Sequence, residues 1–419
     1  MTIGIRSAVT VLPHGRDSDL PIEGDDEDAF TLAVEAVEAL RGPEAERPLA
    51  SVHFVGPEVP DLEDGLAQAV GRPGLSVVSH AHRRMEWFEA VAAASRSSGP
   101  AAEAVVVAVD LSEPRNGTIP RRGGTSASAI RLGPDGAIRL VGTSEGTEVR
   151  GGADADRSAL TNLFGAVSPS DPPGIESLVD PPSGAGSTEP SERIEPILNA
   201  LRAASLAPRA SPSRWALRGR SGAGAFVAGF ELLGPISWRQ KGFESGGAPQ
   251  PGARGGGAPA GRPPYTVSEG AYVPRATYRA TRPTRWRLAA AHCGHCDGWS
   301  FPAAPSCRHC GRSDRLEGRE LAREGLRVEA ATTVVPGAQP TEFDAQVART
   351  GAIEVVLART LQGPLVTLQV TDAPAGSVAV GERVDAVLRR LYPMEGEWRY
   401  GLKAVPAGAP PPEPDPATG

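Results

Sequence analysis

Four cysteines constrain this chain more than any other feature of its sequence. They are the only cysteines in 419 residues. They form two Cys-x-x-Cys pairs, 293–296 and 307–310, separated by ten residues. Each pair can present two thiolates from one tight turn, and two facing turns complete the closed tetrahedral site that structural Zn²⁺ prefers. The spacing therefore predicts a zinc ribbon that holds one structural Zn²⁺ on Cys293, Cys296, Cys307 and Cys310.

Other uses of four cysteines fit this spacing less well. Cysteines so close in sequence are poor disulfide partners for one another, and no signal peptide is evident. A thioredoxin-like site needs one Cys-x-x-Cys pair in a βαβ setting, whereas this chain has two pairs in a loop-rich stretch. His292, His295 and His309 lie in the same turns, but four thiolates already fill the shell. We expect these histidines to face solvent or to lie behind the thiolates, and iron in place of zinc stays open.

Composition indicates a soluble chain of two or three domains. No run approaches the roughly 18 apolar residues of a membrane span, and the N-terminus lacks the pattern of a secretory signal. We therefore expect a cytoplasmic protein with no membrane partner. The formal net charge of −7 argues against a nucleic-acid partner.

Stretches rich in proline and glycine divide the chain. The segment 244–264 has almost nothing to bury, which predicts a flexible linker and the clearest domain boundary. A weaker stretch of the same kind covers about 169–190, and the proline-rich tail after Ala407 is expected to be disordered. The predicted organisation is an α/β domain at 1–240, a linker at 241–264, a helical lead-in and zinc ribbon at 265–315, a β barrel at 316–407 and a tail at 408–419.

The first 150 residues alternate between predicted strands and helices. Acidic residues at 25–28 predict the start of a helix whose apolar face runs from Phe30 to Leu40. The strands are continuously apolar, which favours a sheet covered by helices on both faces. We predict strands near 3–12, 50–55, 75–79, 104–109, 125–132 and 137–143, with further helices near 62–70 and 83–94.

This first part of the chain resembles a family of known fold. Ile3-Gly-Ile5, the segment 25–37 and the Gly-Gly-Thr-Ser-Ala run at 123–127 look like the N-terminal half of a thiolase-fold condensing enzyme. The most similar type is the 3-hydroxy-3-methylglutaryl-CoA synthase family. The resemblance implies a second half within about 155–240, with a helix at 194–203 and its last strands at 214–233. Because a complete second half uses more residues, we expect a degenerate, truncated domain.

The resemblance also implies where chemistry would occur. Condensing enzymes of this family transfer an acyl group onto a cysteine at a strand-to-helix turn. Here that turn is predicted at 78–83, with His80 in the place of the cysteine. Ser79 with His80 or His82 as base is the alternative, although adjacent residues rarely meet in the required geometry and no oxyanion signature accompanies them. We expect no catalytic residue here, and packed or surface roles for His14 and His53.

An arginine-rich segment precedes the ribbon. Five arginines occur at 275–287 without an acid among them, a patch suited to the phosphates of a nucleotide-like ligand or to an acidic partner. A merely solvated face is equally compatible. Arg275, Arg279 and Arg282 are the candidate ligand-binding residues. The pattern predicts a short helix broken at Pro283, with a strand from Arg285 leading into the first cysteine pair.

Two aromatic residues between the cysteine pairs are further candidates. Trp299 and Phe301 are predicted either to pack the ribbon onto its neighbour or to contact a ligand. The ribbon is followed by five predicted strands in about ninety residues, with turn signals between them, which is typical of a small closed barrel such as an OB-fold. These strands are predicted at 326–335, 351–360, 364–371, 383–392 and 400–405.

The second part of the chain resembles acyl-CoA-associated OB-fold proteins with a rubredoxin-like zinc ribbon. Ser300-Phe-Pro302, Gly381-Glu-Arg-Val384 and the segment 400–406 carry this resemblance, which covers about 265–407. It implies an accessory partner of thiolases, condensing enzymes and related acyl-CoA enzymes, which bridges subunits and helps to hold the acyl-CoA. A coenzyme A thioester is the implied ligand, and a hetero-oligomer with a thiolase or condensing enzyme is the expected assembly.

Two other functions stay open at this point. Zinc ribbons and OB-folds also bind nucleic acids, but residues 319–406 carry ten basic and eleven acidic residues and only four aromatic ones. A single-strand groove needs excess positive charge and stacking platforms. An active condensing enzyme of the hydroxymethylglutaryl-CoA synthase type needs a nucleophile that the first domain lacks. The expected function is therefore a non-catalytic scaffold subunit of acyl-CoA metabolism.

Overall fold

The computed structural model describes most of the chain in segments. The described residues are 3–13, 15–17, 20–22, 26–41, 47–72, 74–111, 125–146, 174–177, 194–206, 213–221, 224–234, 236–241 and 273–407. They fall into two units, residues 1–247 and 248–419. The predicted linker at 244–264 and the predicted tail lie outside the described residues.

The first unit is a large mixed sheet with helices packed against it. Its helices are α1 (Ala29–Arg41), α2 (Leu62–Ala69), α3 (Arg84–Ser97) and α4 (Glu195–Leu206). Its strands are β1 (Ile3–Val11), β2 (Gly15–Asp17), β3 (Leu20–Ile22), β4 (Leu49–Val55), β5 (Ser76–His80), β6 (Glu103–Asp110), β7 (Ser126–Pro134), β8 (Ile138–Gly146), β9 (Gly174–Ser177), β10 (Ser213–Ser221), β11 (Gly224–Leu232) and β12 (Ser237–Lys241).

Continuous apolar sequence explains the buried centre of this sheet. Every residue of β6 is buried, as expected for a strand covered on both faces. The predicted apolar face of α1, from Phe30 to Leu40, is also buried. Asp28 starts this helix, because its carboxylate accepts a hydrogen bond from Thr31 N at 3.0 Å, while Asp28 N donates to Thr31 Oγ1. The acidic helix start predicted from the sequence is therefore confirmed.

The strand order leaves one edge of the sheet at β5. The order is β5-β4-β6-β7-β1-β8-β11-β10-β9, and β12 pairs with β1. Strands β4, β5 and β6 are parallel, and β5 pairs only with β4 among the described strands. On β5 the residues Ser76, Val78 and Ser79 are exposed. The sequence does not predict four of these strands. Strand β12 has few buried side chains, and β2, β3 and β9 are only three or four residues long.

The second unit begins with one helix that corrects the sequence prediction. Helix α5 (Arg275–Arg287) continues through Pro283, so the predicted break there and the predicted strand from Arg285 are wrong. Proline interrupts helices because it lacks an N–H and crowds the preceding turn. Here tertiary packing outweighs that cost, since Tyr278, Arg282 and Trp286 are buried on one face of the helix.

A three-stranded ribbon follows the helix and leads into a closed barrel. The ribbon has the order β14-β13-β15 and the barrel the order β16-β17-β18-β20-β19. The barrel strands agree with the five predicted ones, but a 3-10 helix at Thr341–Phe343 and helix α6 (Asp344–Thr350) were not predicted. The strands are β13 (Ala289–Cys293), β14 (Trp299–Ser300), β15 (Leu316–Glu320), β16 (Leu326–Val334), β17 (Ile353–Arg359), β18 (Leu365–Val370), β19 (Arg383–Met394) and β20 (Glu397–Pro406).

None of the helices in the described part of the chain combines the length and the apolar character needed to cross a membrane.

Candidate metal centre and strand-to-helix turn

The four cysteine sulfurs converge on one point. Their Sγ atoms all lie within 4.8 Å of one another. Cys293 and Cys310 are 3.8 Å apart, and Cys296 and Cys307 are 3.6 Å apart. A Zn–S bond of about 2.3 Å in a tetrahedron separates the sulfurs by about 3.8 Å, whereas a disulfide needs about 2.05 Å. These four thiolates would therefore hold one structural Zn²⁺, as the spacing of the cysteines predicts.

The same backbone turn builds both halves of the site. In the first knuckle Asp297 N donates to Cys293 O, and in the second Gly311 N donates to Cys307 O, each at 2.9 Å. The residue after the second cysteine is left-handed in both, with φ of 59° at Asp297 and 75° at Gly311. Ser300 joins the two knuckles, because its Oγ accepts a hydrogen bond from Arg308 N.

Gly298 is required by the close packing inside the first knuckle. A Cβ at this position would lie 2.6 Å from the ring of His309 and 3.2 Å from Cys296 Sγ. A side chain there would push apart the histidine ring and a metal ligand. The sequence places a glycine where only a glycine fits.

The three histidines of the knuckles are not grouped with the thiolates. His292 Nε2 is 2.7 Å from Asp297 Oδ1, His309 Nε2 is 3.0 Å from Trp299 O, and His295 is exposed. Among the described residues, the only group of metal-ligating side chains found is the four cysteines.

Arginines of the arginine-rich segment contact a glutamate of the barrel and aromatic rings of their own helix. Arg275 and Arg279 both form ion pairs with Glu397 at 3.1 and 3.2 Å, and about half of each arginine side chain is exposed. Arg282 is buried, with its guanidinium 4.8 Å from the ring of Trp286 and 5.5 Å from that of Tyr278. This carboxylate partner could not be predicted from the local sequence, because Glu397 lies more than a hundred residues further along the chain.

The two aromatic candidates lie beside the metal centre. The Trp299 ring stacks at a tilt on His292, with ring centroids 4.8 Å apart, and is partly buried. Phe301 is also partly buried and precedes Pro302 through a cis peptide bond. Both side chains keep part of their surface accessible on the ribbon.

The strand-to-helix turn of the first unit lies where the sequence predicts it. Strand β5 ends at His80 and helix α3 begins at Arg84. His82 Nε2 is 2.7 Å from Asp110 Oδ1, and the buried Asp110 carboxylate also accepts a hydrogen bond from Ile194 N. The turn is thus anchored to the end of β6 and to the start of α4.

His80 belongs to a partly buried hydrogen-bond chain that could not be predicted from the sequence. Its Nε2 is 3.1 Å from His53 Nδ1, and His53 Nε2 is 3.2 Å from Ser51 Oγ. Ser51 Oγ is 2.7 Å from Ser97 Oγ, and the Ser97 hydroxyl donates to Ala94 O. The only hint in the sequence was the serine and histidine at i and i+2 on one strand, which share a face.

The carbonyl at the end of this chain fixes the direction of its hydrogen bonds as far as His53 Nε2. Because Ala94 O can only accept, the Ser97 proton is used there, and Ser51 must donate to Ser97. His53 must then donate from Nε2 to Ser51. In the neutral ring, Nδ1 is left to accept a hydrogen bond from His80 Nε2. Burial, the neighbouring His80 and Arg96 lower the His53 pKa to about 4, and burial also lowers the pKa of His80.

We expect His53 and His80 to make the stability of the first unit sensitive to acid. The folded-state pKa of His53 lies below the ordinary value of 6.5, so the unfolded chain binds more protons between about pH 6.5 and 4. The stabilisation is present above pH 6.5 and is lost as the pH falls to about 4, by about 1–3 kcal/mol after discounting for partial solvation. Urea unfolding of the chain and of His53→Gln at pH 7 and pH 5 measures this. The loss should be smaller in His53→Gln, and an unchanged loss would contradict the assignment, with exposed His295→Gln as the control.

Part of the chain is similar to a known zinc ribbon family and to a scaffold protein. Residues 284–317 match the model of the family described as ChsH2, rubredoxin-like zinc ribbon domain. A DUF35 domain-containing scaffold protein of Methanothermobacter thermautotrophicus is 26% identical over 126 residues, which is 30% of this chain and 90% of that relative. The ribbon predicted from the cysteine spacing is confirmed by the family match and by the sulfur geometry.

Solved structures of condensing enzymes are similar to a little over half of the chain. An HMG-CoA synthase crystallised with CoA has a TM-score of 0.43 at 13% identity, covering 56% of this chain and 83% of that one. A 3-oxoacyl-(acyl carrier protein) synthase III, FabH, from Pseudomonas aeruginosa PAO1 has a TM-score of 0.42 at 14% identity, covering 56% of this chain and 99% of that one. Within the described residues, the zinc ribbon and the closed β barrel of the predicted fold class are both present.

Proposed function

We propose that this chain is a non-catalytic scaffold subunit of acyl-CoA metabolism that binds a thiolase or condensing enzyme. One observation carries the proposal. All four cysteines of the chain converge on the metal centre, while the turn that resembles the acyl-accepting site of condensing enzymes has His80 in the nucleophile's place. The name of the DUF35 relative, a scaffold protein, supports the same function.

The exposed edge strand β5 supports the proposal that the chain binds a partner enzyme. Its Val78 side chain is 37% exposed, and the strand has no described neighbour on its outer side. An open sheet edge with apolar side chains is a surface that proteins cover by pairing. A condensing enzyme with the corresponding edge offers both a matching surface and the missing nucleophile, so we favour a hetero-oligomer, located in the cytoplasm.

The ligand part of the proposal concerns the arginines of α5. Arg275 and Arg279 share the single carboxylate of Glu397 and are half-exposed, so a phosphate group of coenzyme A can approach them from the solvent side. Arg282 faces aromatic rings and would act by holding the helix in place. Trp299 and Phe301 are proposed to offer partly exposed apolar surface to the rest of the thioester.

The purified, zinc-loaded chain is expected neither to condense nor to hydrolyse acetyl-CoA or acetoacetyl-CoA. A protein without a thiolate outside its metal centre lacks the group that accepts the acyl chain. Intact-mass spectrometry after incubation should show an unmodified chain, and thiol release should match the blank. Acyl adducts on Ser79 or His80 that disappear in Ser79→Ala or His80→Ala would contradict the proposal.

Docking through the first unit is tested with a truncated chain. Residues 265–407 alone are expected to bind the condensing enzyme of the same organism at least about tenfold more weakly than the full chain, because they lack the β5 edge. In the full chain Val78→Lys should weaken binding in the same way. Val141 on β8 is 38% exposed and serves as a matched control, since Val141→Lys puts the same charge away from the edge. Equal binding by the truncated and full chains would show that the first unit is not the docking element.

A further inference from the structure

The first strand of the barrel leaves part of one edge open. Strand β16 pairs along its length with β17, but with β19 only at Leu326 and Arg327. Val328 then exchanges backbone hydrogen bonds with Gly381 and Glu382. Beyond that point, residues 330–334 form no backbone hydrogen bond on this edge with any residue of the described range 273–407. The N–H and C=O groups of alternate residues in this stretch, which point away from β17, are therefore available to another strand.

The open stretch is exposed on both of its faces. All residues from Glu329 to Thr333 are exposed, although alternate residues of a strand point to opposite sides of the sheet. Val335, just beyond the strand, is 55% exposed. A barrel strand normally hides one face in the core, so β16 leaves the barrel at about Glu329 and continues as an outer edge.

Between Ala330 and Val335 the edge has no charged residue and no proline, although a β-bulge lies between Val328 and Ala330 and Pro336 follows the strand. Natural edge strands are blocked by lysine, proline or inward-facing charges. From Ala330 to Val335 this edge has alanine, threonine and valine only. The nearest acid, Glu329, is neutralised by a two-pronged ion pair with Arg359. Like charges therefore do not oppose the approach of an identical edge.

An uncharged loop extends the surface beside the strand. The stretch 373–381 has no charged residue, and Val380 is 66% exposed. The buried carboxylate of Glu354 holds this loop, because it accepts hydrogen bonds from Gly376 N and Val378 N at 3.0 and 3.3 Å. Gly376 lies next to Thr333 of the strand. Together 330–338 and 373–381 form one uncharged surface, which we call the β16 edge surface.

We propose that the β16 edge surface pairs with the same surface of a second copy of this chain, through an antiparallel two-fold ladder between the two β16 strands. A two-fold axis brings identical residues together, and small side chains at 330–333 let the backbones approach. The two nine-residue stretches of each copy approach the roughly 20–30 residues per side of a stable interface. An uncharged edge offers no complementarity to a charged segment of another protein, whereas it matches itself.

Hydrogen exchange of the full, zinc-loaded chain at low and high protein concentration tests this inference. The amides of 330–334 should become protected as the concentration rises, while the mass measured by light scattering doubles from 43.4 kDa. Thr332→Lys should abolish both effects, because two lysines would meet across the axis. Thr367→Lys is the matched control, since Thr367 is exposed on β18 and that strand lies between β17 and β20.

Three results would overturn the inference. One is an exchange rate at 330–334 that does not depend on concentration in the parent chain. Another is a dimer that persists in Thr332→Lys with its zinc content and circular dichroism unchanged, which would place the contact on another surface. The third is protection of 330–334 that arises only when a condensing enzyme is added, which would make the occupant a partner protein. The pairing does not depend on the proposed scaffold function, so either can fail alone.

Discussion

Replacing Cys296 with serine is expected to reduce bound zinc from one ion per chain to almost none. A site of four thiolates loses its closed shell when one ligand is removed, and metal binding contributes directly to folding of such ribbons, about 10–16 kcal/mol in zinc-finger peptides. The strands β13 to β15 should lose their protection against hydrogen exchange, while those of the first unit keep theirs. Elemental analysis and hydrogen exchange of the purified variant measure the two effects.

His295→Ala is the matched control for this experiment. His295 lies in the same knuckle and is exposed, and the thiolate geometry assigns it no bond to the metal. The His295→Ala variant should therefore retain one zinc ion per chain. A Cys296→Ser chain that is metal-free and still cooperatively folded in the ribbon would contradict the structural role of zinc.

Replacing Trp286 with alanine should destabilise the second unit by about 3–5 kcal/mol. Trp286 is 2% exposed, and its indole Nε1 donates to Tyr400 O on β20 at 3.0 Å. Its ring meets those of Tyr278 and Tyr400 edge to face, and the Arg282 guanidinium lies over it. The substitution therefore removes the main contact that fixes α5, with its internal proline, against the barrel.

Urea unfolding followed by far-UV circular dichroism measures this loss, with Arg285→Ala as the control. Arg285 lies on the exposed side of the same helix, so its removal should change the free energy of unfolding by less than about 0.5 kcal/mol. Equal effects of the two substitutions would mean that the aromatic contact does not hold the helix.

Periodicity and spacing predicted much of the architecture, because those signals are local. The apolar run at 104–109 could only be a strand covered on both faces, and it is the fully buried β6. The spacing of the two Cys-x-x-Cys pairs was enough to predict that the four sulfurs converge on one metal site. The predicted break of helix α5 is wrong because the local sequence shows the cost of Pro283 but not the packing of Tyr278 and Trp286 on β20, a contact between residues more than a hundred positions apart.

The candidate sites are harder to predict from the sequence, because their contacts join residues that are far apart in the chain. His53 was predicted to be an ordinary packed or surface histidine, yet it bridges Ser51 and His80, which come from two neighbouring strands. Arg275 and Arg279 were identified as a bare basic patch, and their carboxylate partner lies at the far end of the barrel sequence. Pairings across a sheet or a barrel depend on register, which no single segment of the sequence specifies.

The central claim is that this chain serves a condensing enzyme as a scaffold and does no acyl transfer itself. Purification of the tagged full chain from its native host, under gentle conditions and with nuclease treatment in a parallel sample, tests it most directly. We predict that a thiolase or synthase of acyl-CoA metabolism co-purifies in a fixed ratio to the chain, that nuclease does not change this ratio, and that Val78→Lys lowers it. Recovery of nucleic acid in place of such an enzyme would contradict the claim.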